Sequence, residues 1–341
     1  MATYEDAGVN IDLGDKCSAI AYQAAKNTFT GRKGMIGEPL VDNGGFSGAL
    51  DMGDYYLVQN DDGIGTKMII SEKIEKYDTM GYDLVAMVAD DAACIGAETI
   101  SLSNTLDVNK VDEKKIEALM GGLEKACLEH KIVVPGGEIA ELGEMVNGYV
   151  WNSTAIGIVG KDKLIKGDNI KEGDKIIGLK SEGLRSNGFS LVRYILKEAF
   201  GEDWYHEKYD DTKNWGEAVL TPSKIYSSAI LEMHGRHGEE AKAELKGIVH
   251  VTGGGIPGNI TRVLKKSGLG AKLDNLPEPH EVIKKLMELG NVAKDEAYKT
   301  WNMGVGMILI SNDVDKIEEI CKSHGIEMDV IGEVQAGGVE M

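Results

Sequence analysis

The sequence predicts an α/β (α+β) protein of two domains, and three observations carry that expectation. Segments with helical spacing alternate with short apolar strands along the chain. At 341 residues the chain is too long for one ordinary core and suits two, and 42% hydrophobic residues can fill both. A charged stretch over 161–175, punctuated by Gly167 and Gly173, divides the chain, which places the domains at 1–168 and 169–341.

In chain order, residues 1–50 are polar and glycine-rich, with one helix expected over 18–26. A strand over 55–59 runs into a loop over 60–67. Residues 83–93 have helical spacing, with Leu84, Val85, Met87, Val88 and Ala92 apolar. Residues 114–130 form the clearest amphipathic helix, with Ile116, Leu119, Met120, Leu123 and Cys127 on one face. A short buried strand over 132–134 is expected to break at Pro135-Gly136-Gly137, and another strand covers 151–159. The second half reads as a strand over 175–179, a helix over 189–200 and a helix over 222–234 with Pro222 in its first turn. A strand over 248–251 then opens into Gly253-Gly254-Gly255, and a helix covers 259–266. A strand over 305–310, a helix over 314–324 ending at Gly325, and a last strand over 326–334 complete the chain. No fixed-period repeat is visible.

The formal net charge is −19, which argues against nucleic acid as a partner, because that affinity rests on cations neutralising phosphates. A small phosphorylated ligand remains compatible, since it needs only local backbone N–H groups, one or two cations, or Mg²⁺. Cys17, Cys94, Cys127 and Cys321 form no C-x-x-C pair, so neither a disulfide framework nor a zinc site is expected. There is no apolar run of 18 residues and no signal-like start, so a cytoplasmic protein without a membrane partner is the expectation. The 44 glycines, about 13% against a usual ~7%, cluster in short loops where backbone must bend sharply or approach something closely.

Three acidic elements lie in the first half. Asn60-Asp61-Asp62-Gly63-Ile64-Gly65-Thr66-Lys67 follows a strand and combines carboxylates, the hard oxygen ligands that Mg²⁺ prefers, with glycines that let N–H groups near a phosphate. Alone, this pattern is more often an acidic turn. Asp90-Asp91 sits late in an apolar helical run; the two are ~100° apart on a helix and can face one edge as metal or catalytic groups, or both face solvent. Glu138 and Glu141, after Gly136-Gly137, are three apart and share a face if helical; alternatively they favour a helix N-terminus. Together the three suit the metal side of a nucleotide site. Neither a P-loop nor a dinucleotide fingerprint is present.

Three Gly/Asn elements lie in the second half. Arg185-Ser186-Asn187-Gly188-Phe189-Ser190 leads into a helix and can hold an anion. Thr252-Gly253-Gly254-Gly255-Ile256-Pro257-Gly258-Asn259 joins a strand to a helix, and three consecutive glycines point to backbone approaching a ligand. Trp301-Asn302-Met303-Gly304-Val305-Gly306-Met307 reads better as a tight, closely packed turn. Of the seven histidines only His250 borders a glycine-rich site, and spacing alone assigns none as a general base.

Several of these segments resemble the aminoimidazole ribonucleotide synthetases, the phosphoribosylformylglycinamidine cyclo-ligases of the PurM family. They are Tyr4-Glu5-Asp6-Ala7-Gly8-Val9-Asn10-Ile11-Asp12, Gly44-Gly45-Phe46-Ser47-Gly48-Ala49-Leu50, Asp62-Gly63-Ile64-Gly65-Thr66-Lys67, Ser186-Asn187-Gly188-Phe189-Ser190-Leu191-Val192-Arg193, the 252–259 loop and Asn302-Met303-Gly304-Val305-Gly306-Met307. They occur in family order and span nearly all of 4–335. The resemblance implies a two-domain PurM-like fold, with the N-terminal domain forming a barrel-like interface in a homodimer and the C-terminal domain holding substrate. It implies ATP-dependent closure of formylglycinamidine ribonucleotide to 5-aminoimidazole ribonucleotide, with release of ADP and phosphate. The alternative is another ATP-dependent phosphotransferase of the superfamily with a different small substrate.

By the same resemblance, Asp62, Asp91, Glu138 and Glu141 are expected to hold Mg²⁺ on ATP. Lys26 and Lys67 are expected on its phosphates, and Gly44, Gly45, Gly48, Gly63, Gly65 and Thr66 around the nucleotide. Ser186, Asn187, Gly253, Gly254, Gly255 and Asn259 are expected on the ribonucleotide substrate, with Asp62, Lys67, Asp91 and Arg185 at the chemistry. Four departures mark this chain: Asp90 where the family has Asn, Ile139 where it has Thr, Leu142-Gly143-Glu144 where it has Met-Pro-Gly, and Arg185 where it has His. Arg cannot replace an acid/base histidine but can replace an anion-binding one.

Overall fold

The computed structural model describes residues 2–41 and 46–341. Its first half runs α1 (Ile11–Thr28), β1 (Glu38–Pro39), β2 (Gly48–Asp51), β3 (Tyr55–Gly63), α2 (Lys67–Lys73), α3 (Met80–Ala93), β4 (Glu98–Val108), α4 (Glu113–His130), β5 (Val133–Glu141) and β6 (Tyr149–Gly160). Its second half runs β7 (Lys175–Lys180), α5 (Phe189–Phe200), α6 (Trp215–Val219), α7 (Ser227–His234), β8 (Gly247–His250) and α8 (Gly255–Leu264). It continues through β9 (Leu269–Lys272), α9 (Glu281–Gly290), α10 (Lys294–Thr300), β10 (Val305–Ser311), α11 (Val314–Ser323), β11 (Met328–Ala336) and β12 (Val339–Glu340).

Among the described residues these strands make two six-stranded sheets, ordered β1-β2-β3-β6-β4-β5 and β12-β9-β11-β7-β10-β8. Pairing is antiparallel except for β4 with β5 and β12 with β9. Side chains alternate across a strand, so one face of the first sheet carries Val58, Asn60, Leu102, Leu106, Trp151 and Ala155 into the core. The opposite face carries Gln59, Asp61, Thr105 and Asn152 and is exposed, with Val150 also on it. In the second sheet every residue of β10 is buried, as befits a strand covered on both faces.

α3 lies on the inner face of the first sheet, against β3, β6 and β4, and also meets α4, α7 and β8. Every residue of it but Tyr82 and Asp91 is buried. It can come this close to α4 because Gly81 and Gly122 face each other's backbone, where a Cβ on either would collide with main-chain atoms. Apolar side chains of α3, such as Leu84, Val85 and Val88, join one core that continues into Phe189, Val249, Ile308 and Trp301 of the second half. Burying each such side chain contributes roughly 1.5–3 kcal/mol. α3 is thus the element through which both halves share a core.

Several elements differ from the sequence expectation. The first helix extends well beyond 18–26, and α2 was not expected at all, because its seven residues are too few to show a period. β5 does not break at Pro135; it bulges there and continues to Glu141, which an edge strand permits because its outer N–H groups have no ladder partner. It is also exposed rather than buried. Residues 222–226 form no helix, because the N–H groups of Ser223, Tyr226 and Ser227 bond carboxylates of α3.

Candidate functional site

The site is built where β3 and α3 meet. Asn60 Nδ2 donates to the Val88 carbonyl at 2.9 Å, which fixes the end of β3 against α3. Asp62 is two residues further along β3, on the same face, and Asp91 is three residues further along α3. Asp62 accepts from the Gly63 N–H at 2.7 Å. Burial first, and then the neighbouring negative charge of Asp91, raise the Asp62 carboxyl above its ordinary range, while His250 opposes this. Two half-buried carboxylates are thus close enough for their charges to act on one another, and a divalent cation would relieve both the burial and the repulsion.

His250 ends β8 and is fully buried. Its Nδ1 lies 2.7 Å from Asp91 Oδ1, and its Nε2 lies 3.0 Å from Arg185 Nη2. A guanidinium only donates, so Nε2 accepts and the imidazole proton sits on Nδ1, aimed at Asp91. Arg185 Nη2 also donates to Asp90 Oδ2 at 2.9 Å, and the guanidinium stacks over Tyr226. Asp90 in turn accepts from the N–H groups of Tyr226 and Ser227. Its neighbour on the helix is thus a structural anchor, and only Asp91 keeps a partly open carboxylate.

One α-helical repeat of two turns before Asp90 lies Asp83. It accepts from Lys67 Nζ at 2.7 Å, from Ser223 N at 3.1 Å and from the Ser186 hydroxyl at 3.3 Å. Lys67 also donates to the Thr221 carbonyl at 2.8 Å. Burial lowers the Lys67 pKa, and the Asp83 carboxylate opposes that shift. Asp83 and Asp90 together bind α3 to the 185–186 and 221–227 segments, so the second half is positioned by carboxylates of the first.

The glycine loop 253–255 follows His250. Gly254 caps α8 with φ +92°, and Gly255 has φ +60° with its Cα against the Tyr298 carbonyl, so each has an internal structural reason. Gly253 has none: a Cβ there would meet nothing within 4 Å. That is the one of the three whose backbone faces open space. Asn187, just before the Gly188 cap of α5, is half-buried, and its amide has no partner among the described residues. Gly65 also faces open space, and Thr66 directly precedes α2 as its N-cap.

Several expected site residues stand elsewhere. Lys67, expected on the phosphates, has its ammonium held inside the protein by Asp83 and Thr221. Arg185, expected at the chemistry, is buried and bonded to Asp90 and His250. Asn259 is fully buried, and its amide donates to the carbonyls of Thr252, Gly253 and Gly255, bracing the loop from inside. Glu138 and Glu141 do not join Asp62 and Asp91 within the chain. They lie on a strand rather than a helical turn, so their side chains take opposite faces.

Glu138 pairs with Thr105, which is opposite Asn152, which is opposite Gly63; three strand spacings of ~4.8 Å put it about 14 Å across the sheet, on the exposed face. Glu141 accepts from the Val111 N–H instead. Lys26 sits over its own helix's Tyr22 ring. Gly48 opens β2 beside the Gln59 carbonyl. Gly44 and Gly45 lie outside the described residues. The sequence reading left His250 unassigned although it borders the glycine loop, and it passed over Asp83, whose only signal is a lone acid seven residues before Asp90.

No set of three or more histidine, cysteine or acidic residues among the described residues could hold a metal by itself. Mg²⁺ does not need one, since one or two carboxylates with phosphate oxygens and waters suffice. Asp62 and Asp91 fit that requirement.

Comparison with known proteins identifies the family. The family model described as AIR synthase related protein, N-terminal domain, matches residues 44–159, and that described as AIR synthase related protein, C-terminal domain, matches residues 171–341. The phosphoribosylformylglycinamidine cyclo-ligase of Methanocaldococcus jannaschii is 38% identical over 338 residues, covering 98% of this chain and 92% of its own. That of Pyrococcus furiosus is 39% identical over 320 residues, covering 94% and 91%. Among solved structures, the HypE–HypF complex aligns with a TM-score of 0.61 at 18% identity, over 86% of this chain and 87% of that one. T. maritima PurL complexed with FGAR aligns with a TM-score of 0.59 at 17% identity, over 89% and 46%. These two likenesses are likenesses of fold. With both domains matched in order and full-length relatives near 38% identity, the chain belongs to the AIR synthase related family, as a member of its phosphoribosylformylglycinamidine cyclo-ligase branch.

Proposed function

We propose that the Asp62–Asp91–His250 cluster is where this chain carries out the ATP-dependent cyclisation of formylglycinamidine ribonucleotide to 5-aminoimidazole ribonucleotide, the cyclo-ligase step of purine biosynthesis. The observation that carries the site assignment is the cluster in which Asp91 bonds His250 at 2.7 Å and the charges of both act on the Asp62 carboxyl. Asp62 and Asp91 would hold Mg²⁺, which when bound neutralises charge on the ATP phosphates. His250, with its proton on Nδ1, keeps Asp91 turned toward Asp62. Gly63, Gly65 and Thr66 border the nucleotide, and Asn187 and Gly253 meet the substrate.

In this reading, the amide oxygen of the substrate takes the γ-phosphoryl group and ADP leaves. A nitrogen of the amidine then attacks the activated carbon, the C–O bond breaks, and phosphate departs as the imidazole ring closes. Water must be kept from the activated intermediate, and the buried Asp90–Arg185–His250 network gives that side of the site a dry wall.

We further propose a homodimer formed through the exposed face of the first sheet, which would cover Val150 and bring Glu138 against a second copy. The domain boundary is taken between β6 and β7. The test is ADP release with formylglycinamidine ribonucleotide. Asp62→Ala is expected to lower turnover on the order of 10²-fold. An undiminished rate would overturn the metal role. Release with thiamine monophosphate alone would favour the phosphotransferase alternative.

A further inference from the structure

A second cavity of about 320 Å³ lies apart from the carboxylate cluster, between the N-terminal segment, α2, α5 and the turn after α5. That volume is at the lower end of small-molecule sites. Three separate pieces of chain build it, so it is not a dent in one loop. Tyr4 anchors the first piece, its N–H donating to Glu296 at 3.0 Å.

Its lining contains equal numbers of acidic and basic side chains, but they are not equally free. Each carboxylate is already engaged. Asp6 accepts from Thr3 through both N–H and hydroxyl, at 3.0 and 2.7 Å. Asp203 accepts from the Tyr205 hydroxyl at 2.8 Å, and Glu202 pairs with Lys197 at 2.7 Å. The remaining cations are Arg193 on α5 and Lys73 on α2, and neither has an acidic partner among the described residues. Lys73 lies only over the Tyr205 ring, 5.8 Å from its centre. Arg193 is half-buried with no hydrogen-bond partner, and burial lowers its pKa without a neighbouring carboxylate to offset the effect. An unpaired guanidinium in a half-buried position is costly, and a bound anion removes the cost. The planar fork of Arg193 and the point charge of Lys73 together suit a phosphate group.

We propose that this cavity is a binding site for a phosphate monoester, separate from the Asp62–Asp91 cluster. The group has two sources: the 5′-phosphate of the ribonucleotide substrate, which rests on the function proposed above, or a free phosphorylated metabolite acting as an effector.

The experiment titrates the full chain with ribose 5-phosphate by calorimetry, without ATP or metal. Saturable binding is expected. Arg193→Gln and Lys73→Gln should each weaken it about 10-fold or more, in line with loss of a charge-assisted contact, while Asp62→Ala leaves it unchanged. Lys73 is exposed, so its variant decides the matter if Arg193→Gln fails to fold. Absence of saturable binding at millimolar ligand overturns the site. So does equal binding by wild type and both variants, or loss of binding in Asp62→Ala. Steady-state ADP release separates the sources: a substrate phosphate makes ribose 5-phosphate a competitive inhibitor, and an effector changes kcat. If no ribonucleotide supports ADP release, the cyclo-ligase reading fails while the calorimetric result on the cavity stands.

Discussion

His250 donates through Nδ1 to Asp91 across 2.7 Å, and Arg185 fixes the direction of that bond by occupying Nε2 at 3.0 Å. Arg185 is itself buried, bonded to Asp90 and His250. Its contact toward Asp91 runs through His250 of β8. His250→Ala should weaken Mg-ATP binding about 10- to 100-fold, the usual cost of losing a residue that orients a metal ligand. Metal-free ATP should bind this variant and the wild type alike. Calorimetry with and without Mg²⁺ checks both expectations, and equal loss in both conditions would point to a structural role alone.

Lys67 and Asp83 form an ion pair in which both side chains are fully buried. Lys67→Met leaves the Asp83 carboxylate without its ammonium, and breaking such a pair costs about 3–5 kcal/mol. Urea unfolding should show that loss. Replacing both members, as Lys67→Met with Asp83→Leu, should recover part of it. A Lys67→Met protein of wild-type stability with raised KM for ATP would return Lys67 to the phosphate site.

The glycine loop gives a paired test. Gly255→Ala places a methyl against the Tyr298 carbonyl in a left-handed conformation and should cost at least about 1–3 kcal/mol. Gly253→Ala meets nothing, so its stability should stay within about 0.5 kcal/mol of wild type. Its KM for the ribonucleotide should nevertheless rise. Thermal unfolding and steady-state kinetics on the two variants separate packing from ligand approach.

His234 supplies a pH dependence. It is buried, its Nε2 donates to the Lys163 carbonyl at 2.7 Å, and burial lowers its pKa from the ordinary 6.5. The folded state thus binds its proton less tightly than the unfolded chain does. Its contribution is fully present above pH 6.5 and is lost as pH falls through the lower folded value. Unfolding free energy should decline below pH 6.5, and His234→Gln should flatten that decline.

Much of the architecture was legible in the sequence. The helical run ending at Ala93, the amphipathic helix of Ile116 and Leu119, and the apolar strand of Met307–Leu309 each show a period or a continuous apolar run, because each presents a defined face to a core. α2 and the irregular 222–226 segment were not legible. One is too short for a period, and the other takes its shape from carboxylates 130 residues and more away in sequence.

The sequence by itself determined the α/β class, part of the run of strands and helices, the glycine-rich joints and the acid-rich segments, since these follow from local propensity and patterning. It also determined family membership, through residues from Tyr4 to Met307. Only the tertiary structure decided which acids meet. Strand pairing puts Glu138 about three strands from Gly63 and on the other face, whereas the packing of β3 on α3 brings Asp62 and Asp91 together. It also decided that Lys67 and Arg185 are interior. Charge alone cannot show whether a cation faces water or a buried carboxylate, because that depends on Asp83 and Asp90 being two turns apart on one buried helix.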